Sequence, residues 1–343
     1  MKGCQIIVPR PYEVKIEEFE IDEKSIGPED ILIETMYTMI SPGTELSIYT
    51  ALDPGVHDFK SWCHYPFRPG YIAVGKVIAK GSNVTRVNID DVVYCFSNHA
   101  SIAKIPKHSF YLKVPLDIDK KLILLTRLAT IGLTSIRVSS VTPGNIVVVI
   151  GLGLVGNFAA QLFQIAGAKV IGVDLSNKRL ELARKAGIAY ILNPSNCSVK
   201  EEVLELTNGK GADIAVDAVG DSRVVLQAAE LVRKMGEVII LGTPRASYKT
   251  NITQLLRMVH LNWITLKGAL EWCFPLYKTF GSKYSYEENS LYIWQLLKEK
   301  KLYTEKFITH IIQPKDFKEA YEGLLNKKDE YLGVVVDWRE IQY

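Results

Sequence analysis

The sequence predicts a two-lobed α/β protein: a doubly wound parallel sheet inserted into a compact, mostly antiparallel β-barrel lobe. Three observations carry this. Residues 1 to about 120 hold short β-patterned runs broken by Gly and Pro. Strand-like and helix-like stretches then alternate over roughly the next 120 residues, the mark of a parallel sheet with helices on both faces. The tail returns to mixed character and ends in an apolar strand pattern. A length of 343 residues is also too great for one ordinary core.

In the first lobe, "DILIETMYTMI" (30–40), "IAVGKVIAKGS" (72–82), "DDVVYCFS" (90–97) and "ASIAKIPKHSFYLKVP" (100–115) have strand patterning. "PFRPGYIAVGKV" (66–77) reads as a proline-bounded turn running into a strand. The stretch 114–144 reads as helical. "NIVVVIG" (145–151) is a continuous apolar run, as in a buried parallel strand. "NFAAQLFQIAGA" (157–168), "NKRLELARKAG" (177–187, closed by Gly187) and "SRVVLQAAELVRK" (222–234) predict helices. "KVIGVD" (169–174), "ADIAVDAVG" (212–220) and "GEVIILG" (236–242) predict the strands between them. In the tail, "PKDFKEAYEGLLNKK" (314–328) predicts an Asp-capped helix and "LGVVVDW" (332–338) a last strand. The expected division is 1–122, 123–272 and a return over 273–343, with the tail packed on the first lobe.

Composition removes several classes of function. The chain is 48% hydrophobic and 23% charged, as in soluble globular proteins. Its net charge, 41 minus 38 or +3, is too weak to argue for nucleic acid. The Lys-rich stretches 296–306 and 326–331 have acidic residues nearby and read as solvated helix faces. No apolar run approaches the roughly 18 residues of a membrane span, and the N-terminal stretch has no apolar signal core. Five scattered cysteines make no disulfide framework and predict a reducing cytoplasm.

The strongest chemical signal is "VVVIGLGLVGNFAAQLFQ". It holds G-x-G-x-x-G at Gly151, Gly153 and Gly156, with Leu154 and Val155 inside the turn. The motif alone is weak. Here it follows an apolar strand, opens a helix and precedes an acidic residue at the end of the next strand. Gly151 permits the tight turn, Gly153 lets backbone approach a pyrophosphate at a helix N-terminus, and Gly156 allows close helix–sheet packing. Asp174 lies 18 residues past Gly156, so its carboxylate can hold both ribose hydroxyls and repel a 2′-phosphate. NAD is therefore expected over NADP, with Lys178 and Arg179 just beyond keeping NADP as the alternative.

At these residues the chain resembles the medium-chain dehydrogenase/reductase superfamily. "VTPGNIVVVIGLGLVGNFAAQLFQIAGAKVIGVD" (141–174) is the most specific stretch, and "KFITHIIQPKDFKEAYEGLL" (306–325) resembles its C-terminal element. The resemblance covers nearly the whole chain and implies a GroES-like barrel lobe with an inserted Rossmann lobe. It also implies cofactor positions: Thr130 packing on the nicotinamide, Ala218 to Gly220 near the dinucleotide, Gly242 and Thr243 beside the nicotinamide ribose. The backbone of "LKGAL" (266–270), which contains Ala269, would hold the carboxamide. A homodimer or homotetramer is expected by the same analogy.

The zinc ligands of that superfamily are missing. Where it carries a Cys, "ISPGTELS" has Pro42. Where it carries His-Glu, "PGYIAVG" has Tyr71 and Ile72. Its third ligand falls at Thr126 or Arg127. A zinc site needs His, Cys or carboxylate donors in tetrahedral array. The four-cysteine structural-zinc loop is absent too. Cys63, His64, Cys95 and His99 are a conceivable substitute set, though adjacent Cys63 and His64 chelate poorly. No zinc is therefore expected. Tyr71 is then the candidate acid/base; as a base near neutrality it would need a lowered pKa, which a nearby cation and the nicotinamide charge could supply. The resemblance makes Thr44 the proton-relay hydroxyl, puts Ser47 in place of a relay His, and makes Glu45 an acidic neighbour of the site. His99 and His64 are candidates to touch substrate, and Arg127 to bind a polar or anionic one. Each has a plainer alternative: Tyr71 filling space, Glu45 holding the loop, Arg127 in an ion pair. "MISPGTEL" and "RPGYIAVGKV" are most similar to a zinc-lacking branch that includes bacteriochlorophyllide dehydrogenase.

The expected function is a zinc-independent, NAD-dependent oxidoreductase that interconverts a secondary alcohol and a ketone on a polar small molecule. A sugar, cyclitol or biosynthetic intermediate would fit, with hydride transfer at the interlobe cleft. Two alternatives remain at this level: an NAD(P)H-dependent quinone or enoyl reductase, and a nucleotide-binding protein without catalysis.

Overall fold

The structure is a computed structural model that describes residues 1–340. The chain forms two compact units: Met1–Arg127 with the chain from Glu305 onward, and Leu128–Thr304.

The first unit opens with an antiparallel pair, β1 (Lys2–Ile7) and β2 (Lys15–Glu20). It continues with β3 (Ile31–Met39), α1 (Pro42–Tyr49), β4 (Ala73–Lys80), β5 (Val92–Cys95), β6 (Ile102–Ile105), β7 (Tyr111–Lys113), α2 (Lys120–Leu124) and the start of α3 (Thr126–Val138). Strand β3 is buried along nearly its whole length and is the hub, pairing with β4 and with β6. Its inward side chains Ile31 and Ile33 pack with Ala73, Val77 and Val93 in one barrel-side core. Burying each large aliphatic side chain is worth about 1.5–3 kcal/mol. Gly70 (φ +103) is required where it stands. A Cβ there would lie 2.5 Å from the His99 backbone nitrogen, which donates to the Pro69 carbonyl at 2.9 Å. The turn before Tyr71 is thus pressed against the loop carrying His99.

The second unit holds a six-stranded all-parallel sheet. In chain order it comprises β8 (Ile146–Ile150), α4 (Leu154–Ile165), β9 (Lys169–Val173), α5 (Asn177–Lys185), β10 (Tyr190–Leu192) and α6 (Val199–Leu206). β11 (Ala212–Asp217), α7 (Ser222–Leu231), β12 (Val232–Ile240), α8 (Ile252–Asn262), β13 (Thr265–Gly268) and α9 (Tyr286–Lys298) follow. Strand order is β10-β9-β8-β11-β12-β13. The order reverses at β8, the switch point where ligands of such sheets bind. Apolar cores fill both faces. One packs Phe163, Ala159 and Ala160 of α4 on Val147 and Val149; the other packs α7 on Val148 and Ala215.

The chain then returns to the first unit with β14 (Ile308–Ile312), α10 (Phe317–Asn326) and β15 (Gly333–Asp337). β15 pairs with β3 antiparallel, Val335 opposite Met39, so the tail does join the first unit.

Three local expectations change. The helix expected over 222–234 ends at Leu231, because Val232 is extended (φ −86, ψ 148) and pairs with Ala212, with the strand kinked at Met235 (φ +60). Helix α10 begins at Phe317, and Asp316 stands at its N-cap without a side-chain cap bond. Residues 273–304, expected with the returning tail, cluster with the second unit. Tyr286 and Trp294 of α9 are buried there, and Gln161 of α4 exchanges hydrogen bonds with the Tyr303 backbone at 2.7 and 3.1 Å.

Candidate active site

The glycine turn lies between β8 and α4. Gly156 is forced by packing: a Cβ there would stand 1.8 Å from the Gly151 carbonyl oxygen. Gly153 is the N-cap of α4, and a Cβ on it would meet nothing nearer than Arg179 Nη1 at 4.0 Å. Its face is an open cradle. The first N–H groups of α4, on Leu154, Val155 and Gly156, have no intrahelical partner and present a positive helix end. Asp174 follows β9. Its Oδ2 accepts the Leu152 N–H at 2.7 Å and its Oδ1 the Ser176 N–H at 2.8 Å. Both oxygens keep a lone pair for ribose hydroxyls. Arg179 in α5 has Nη1 3.8 Å from Asp174 Oδ2, and its Nε is buried without a hydrogen-bond partner. This cradle fits a dinucleotide.

The neighbouring strand ends close the same side of the sheet. Asp217, fully buried at the end of β11, accepts the Val219 and Gly220 N–H groups on Oδ1 at 2.9 and 3.1 Å. Its backbone carbonyl takes the N–H groups of Leu241 and Gly242 at 2.9 and 2.8 Å. Ala218 donates to the Ile150 carbonyl, and exposed Thr243 lies with its carbonyl against Gly220. Thr130 is buried and donates to Glu271 Oε2 at 3.3 Å. Ala269 is buried, and its N–H already donates to the Ile240 carbonyl.

In the first unit, Tyr71 is the centre of a polar cluster. Its hydroxyl donates to Ser41 Oγ and also bonds with the Thr44 side chain. The Arg127 guanidinium, buried, lies 5.1 Å from the Tyr71 ring centroid and 4.6 Å from that of Phe96. Burial pushes the Tyr71 phenol above its usual range. Arg127 and the bonds from Ser41 and Thr44 pull the other way, and the Glu45 charge adds to the rise. Arg127 alone does not supply the lowering that a tyrosine base would need, since burial outweighs it.

Glu45, in the first turn of α1, is fully buried. It accepts the Ser41 N–H at 2.8 Å on Oε1, and on Oε2 the Tyr321 hydroxyl at 2.7 Å. His99 Nε2 faces the same Oε2 at 3.1 Å, and His99 Nδ1 lies 2.6 Å from Thr38 Oγ1. Tyr71, Thr44, Glu45 and His99 thus belong to one network. Ser47 does not join it, since its hydroxyl donates to the Thr44 carbonyl one turn back at 2.7 Å. His64 does not either. It is half-buried, with Nδ1 2.7 Å from the Ser61 carbonyl. Tyr321 and Trp338 come from the tail and carry no local sequence signal. Ser41 had one, since Ser before Pro at a helix start marks an N-cap.

Among the described residues, no three His, Cys, Asp or Glu side chains converge to hold a metal ion. Cys63 lies beside Ser61 and Asp53, Cys95 is buried in β5 with its thiol pushed up by burial, and His99 faces Glu45. Pro42, Tyr71 and Arg127 do not fit zinc, and Arg127 is itself a cation.

Residues 155–273 match the family model described as zinc-binding dehydrogenase. Alcohol dehydrogenase 1 of Zea luxurians is 36% identical over 211 residues, 60% of this chain and 67% of that protein. The chain belongs to the medium-chain dehydrogenase/reductase superfamily. Within it the relatives are alcohol dehydrogenase-like oxidoreductases that depend on a nucleotide. Alcohol dehydrogenase 1 of Zea mays is also 36% identical, but the match spans only 52% of it, about half its length. Solved superfamily structures share the fold at low identity. Galactitol-1-phosphate dehydrogenase of Escherichia coli has a TM-score of 0.81 at 19% identity, covering 97% of this chain and 99% of that one. 2R,3R-butanediol dehydrogenase of Bacillus subtilis has 0.79 at 20%, covering 98% and 99%. A Sinorhizobium meliloti chain described as a zinc-binding dehydrogenase, with NADP bound, has 0.77 at 17%, covering 98% and 99%.

Proposed function

We propose that the protein is a zinc-independent, NAD-dependent oxidoreductase that interconverts a secondary alcohol and a ketone on a polar small molecule. One observation carries the reading. At the position of an expected metal ligand stands a phenol, hydrogen-bonded to Ser41 and lying beside a buried guanidinium. When bound, the nicotinamide supplies or receives the hydride. Tyr71 holds the proton. Like any phenol it is protonated at neutral pH, and burial holds it further that way, so it donates to a carbonyl oxygen during reduction. Arg127 stabilises the negative charge that develops there, a part that a metal ion plays elsewhere. Ser41 and Thr44 stand beside the phenol as hydroxyls able to return the proton. In the oxidative direction the same phenol must first ionise, so oxidation gains with rising pH.

Asp174 supports NAD, and Arg179 beside it supports NADP as the second reading. The sheet edge at β13, flanked by exposed Leu261, Trp263, Leu270 and Trp272, supports a homodimer or homotetramer. Sedimentation at micromolar concentration tests that; a monomer refutes it. No helix among the described residues is long and apolar enough to cross a membrane, and the cysteines are free. Both support placement in the cytoplasm.

The test of the chemistry is metal content together with Tyr71→Phe. We expect less than about a tenth of an equivalent of zinc in purified protein. On a substrate found by screening alcohols and carbonyls with both cofactors, loss of the acid/base should cost on the order of 10²–10⁴ in kcat. One tightly held equivalent of zinc, or an unimpaired Tyr71→Phe, refutes the mechanism.

A further inference from the structure

The cluster beside Tyr71 also contains a buried carboxylate whose charge its neighbours do not cancel. Trp338 Nε1 donates to Thr38 Oγ1 at 2.8 Å, and Thr38 Oγ1 lies 2.6 Å from His99 Nδ1. An indole nitrogen only donates, and a hydroxyl has one proton to give. If His99 Nδ1 carried a proton, Thr38 would accept twice and its own proton would have no acceptor in a fully buried place. Thr38 therefore donates to Nδ1. The ring proton sits on Nε2 and points at Glu45 Oε2. His99 is neutral in this arrangement, and Glu45 takes three donors: the Ser41 N–H, the Tyr321 hydroxyl and His99. None of the three is a cation.

We propose that Glu45 is a positioning residue for the reaction, a charged carboxylate that holds Tyr71 through Ser41 and opposes Arg127 in the electrostatics of the phenol. This rests on the reading of Tyr71 as the proton donor. Its geometry is a chain of direct contacts, Tyr71 to Ser41 Oγ and Ser41 N–H to Glu45 Oε1. The charged and titratable groups set toward Tyr71 are Arg127 from α3, Glu45 from α1 and Tyr321 from α10, with His99 behind Glu45. Burial is the larger influence that holds the proton on Tyr71; beside it, Arg127 favours the phenolate and Glu45 favours the phenol.

The test is NMR on the full chain and does not use activity. Imidazole ¹⁵N shifts at pH 7 should show His99 protonated on Nε2 alone; a doubly protonated ring or an Nδ1–H tautomer overturns the charge assignment. Tyrosine ¹³Cζ labelling, with the Tyr71 signal assigned from Tyr71→Phe, gives its ionised-to-neutral ratio at pH 11. Glu45→Gln should raise that ratio on the order of tenfold, the effect of removing one nearby unit charge. Tyr321→Phe takes a donor from Glu45 and, because burial keeps the Tyr321 phenol protonated, changes no charge facing Tyr71, so it should lower the ratio. It decides the matter if Glu45→Gln does not fold. An unchanged ratio, or one moving the same way in both variants, overturns the proposal. Tyr71→Phe kinetics separately decide whether the phenol is the donor, so either idea can fail alone.

Discussion

Two glycines of the cofactor turn separate binding from packing. A Cβ on Gly156 would lie 1.8 Å from the Gly151 carbonyl oxygen, 2.9 Å from its carbon and 3.1 Å from Ala218 Cβ. The atoms it meets first are backbone and cannot rotate aside, so the turn must move by more than about 1 Å. Overpacking of this kind costs about 1–3 kcal/mol. For a unit of this size, that lowers Tm by roughly 2–10 °C. Because the displaced atoms form the cradle, cofactor affinity should fall on the order of tenfold or more. Gly153 offers the contrast. Its φ of −60 and ψ of −177 suit any residue, and an added Cβ finds open space. Gly153→Ala should change stability by less than about 1 kcal/mol, with lost N-cap preference set against a less flexible unfolded chain. It should nonetheless weaken cofactor binding, because the methyl fills the face that the pyrophosphate approaches. Calorimetry gives the stabilities and NADH fluorescence titration the affinities. A Gly153→Ala protein that binds NADH as tightly as the native chain refutes the cradle. A Gly156→Ala protein with native Tm refutes the packing argument.

Further outcomes follow from the other buried charges. Asp174→Ala should weaken NAD on the order of tenfold, while Arg179→Ala should leave NAD nearly unchanged and weaken NADP. Fluorescence titration with both cofactors checks this, and a native preference for NADP would reverse the assignment. Burial pushes the Asp217 carboxyl above its usual range, and its Oδ2 is buried without a hydrogen-bond partner. A raised folded value means that the folded state keeps this proton longer than the unfolded chain. The resulting stabilisation is complete below about pH 3.9 and is lost as pH rises through the folded value. Asp217→Asn escapes that loss, so Tm of the variant relative to native should climb between pH 4 and pH 8; a constant offset contradicts it.

What the sequence made legible was local. The turn from β8 to Asp174 was readable because strand, glycines, helix and acidic residue all fall within 30 residues of one another. The end of α7 was not, since Leu231, Val232, Arg233 and Lys234 continue the helical pattern of apolar and charged residues until Val232 finds a partner at Ala212. Residues 273–304 were misplaced for a similar reason. Their burial depends on contacts such as Gln161 with Tyr303, 142 positions apart. Glu45 was legible as a residue and not as a node, because Tyr321 reaches it across 276 positions and Trp338 reaches Thr38 across 300.

The acidity of Tyr71 shows the limit most clearly. A phenol near a cation suggests a lowered pKa, and Arg127 does lie beside it. The sign nonetheless comes out the other way, since burial of the hydroxyl and the charge on Glu45 together outweigh the guanidinium. Each contribution scales with distance and local dielectric, and neither is written in residue identity. A phenol ordinarily holds its proton at neutral pH, and burial here strengthens that hold rather than loosening it. On the proposed mechanism, a phenol that holds its proton serves carbonyl reduction near neutrality, and oxidation by the same phenol gains with alkaline pH.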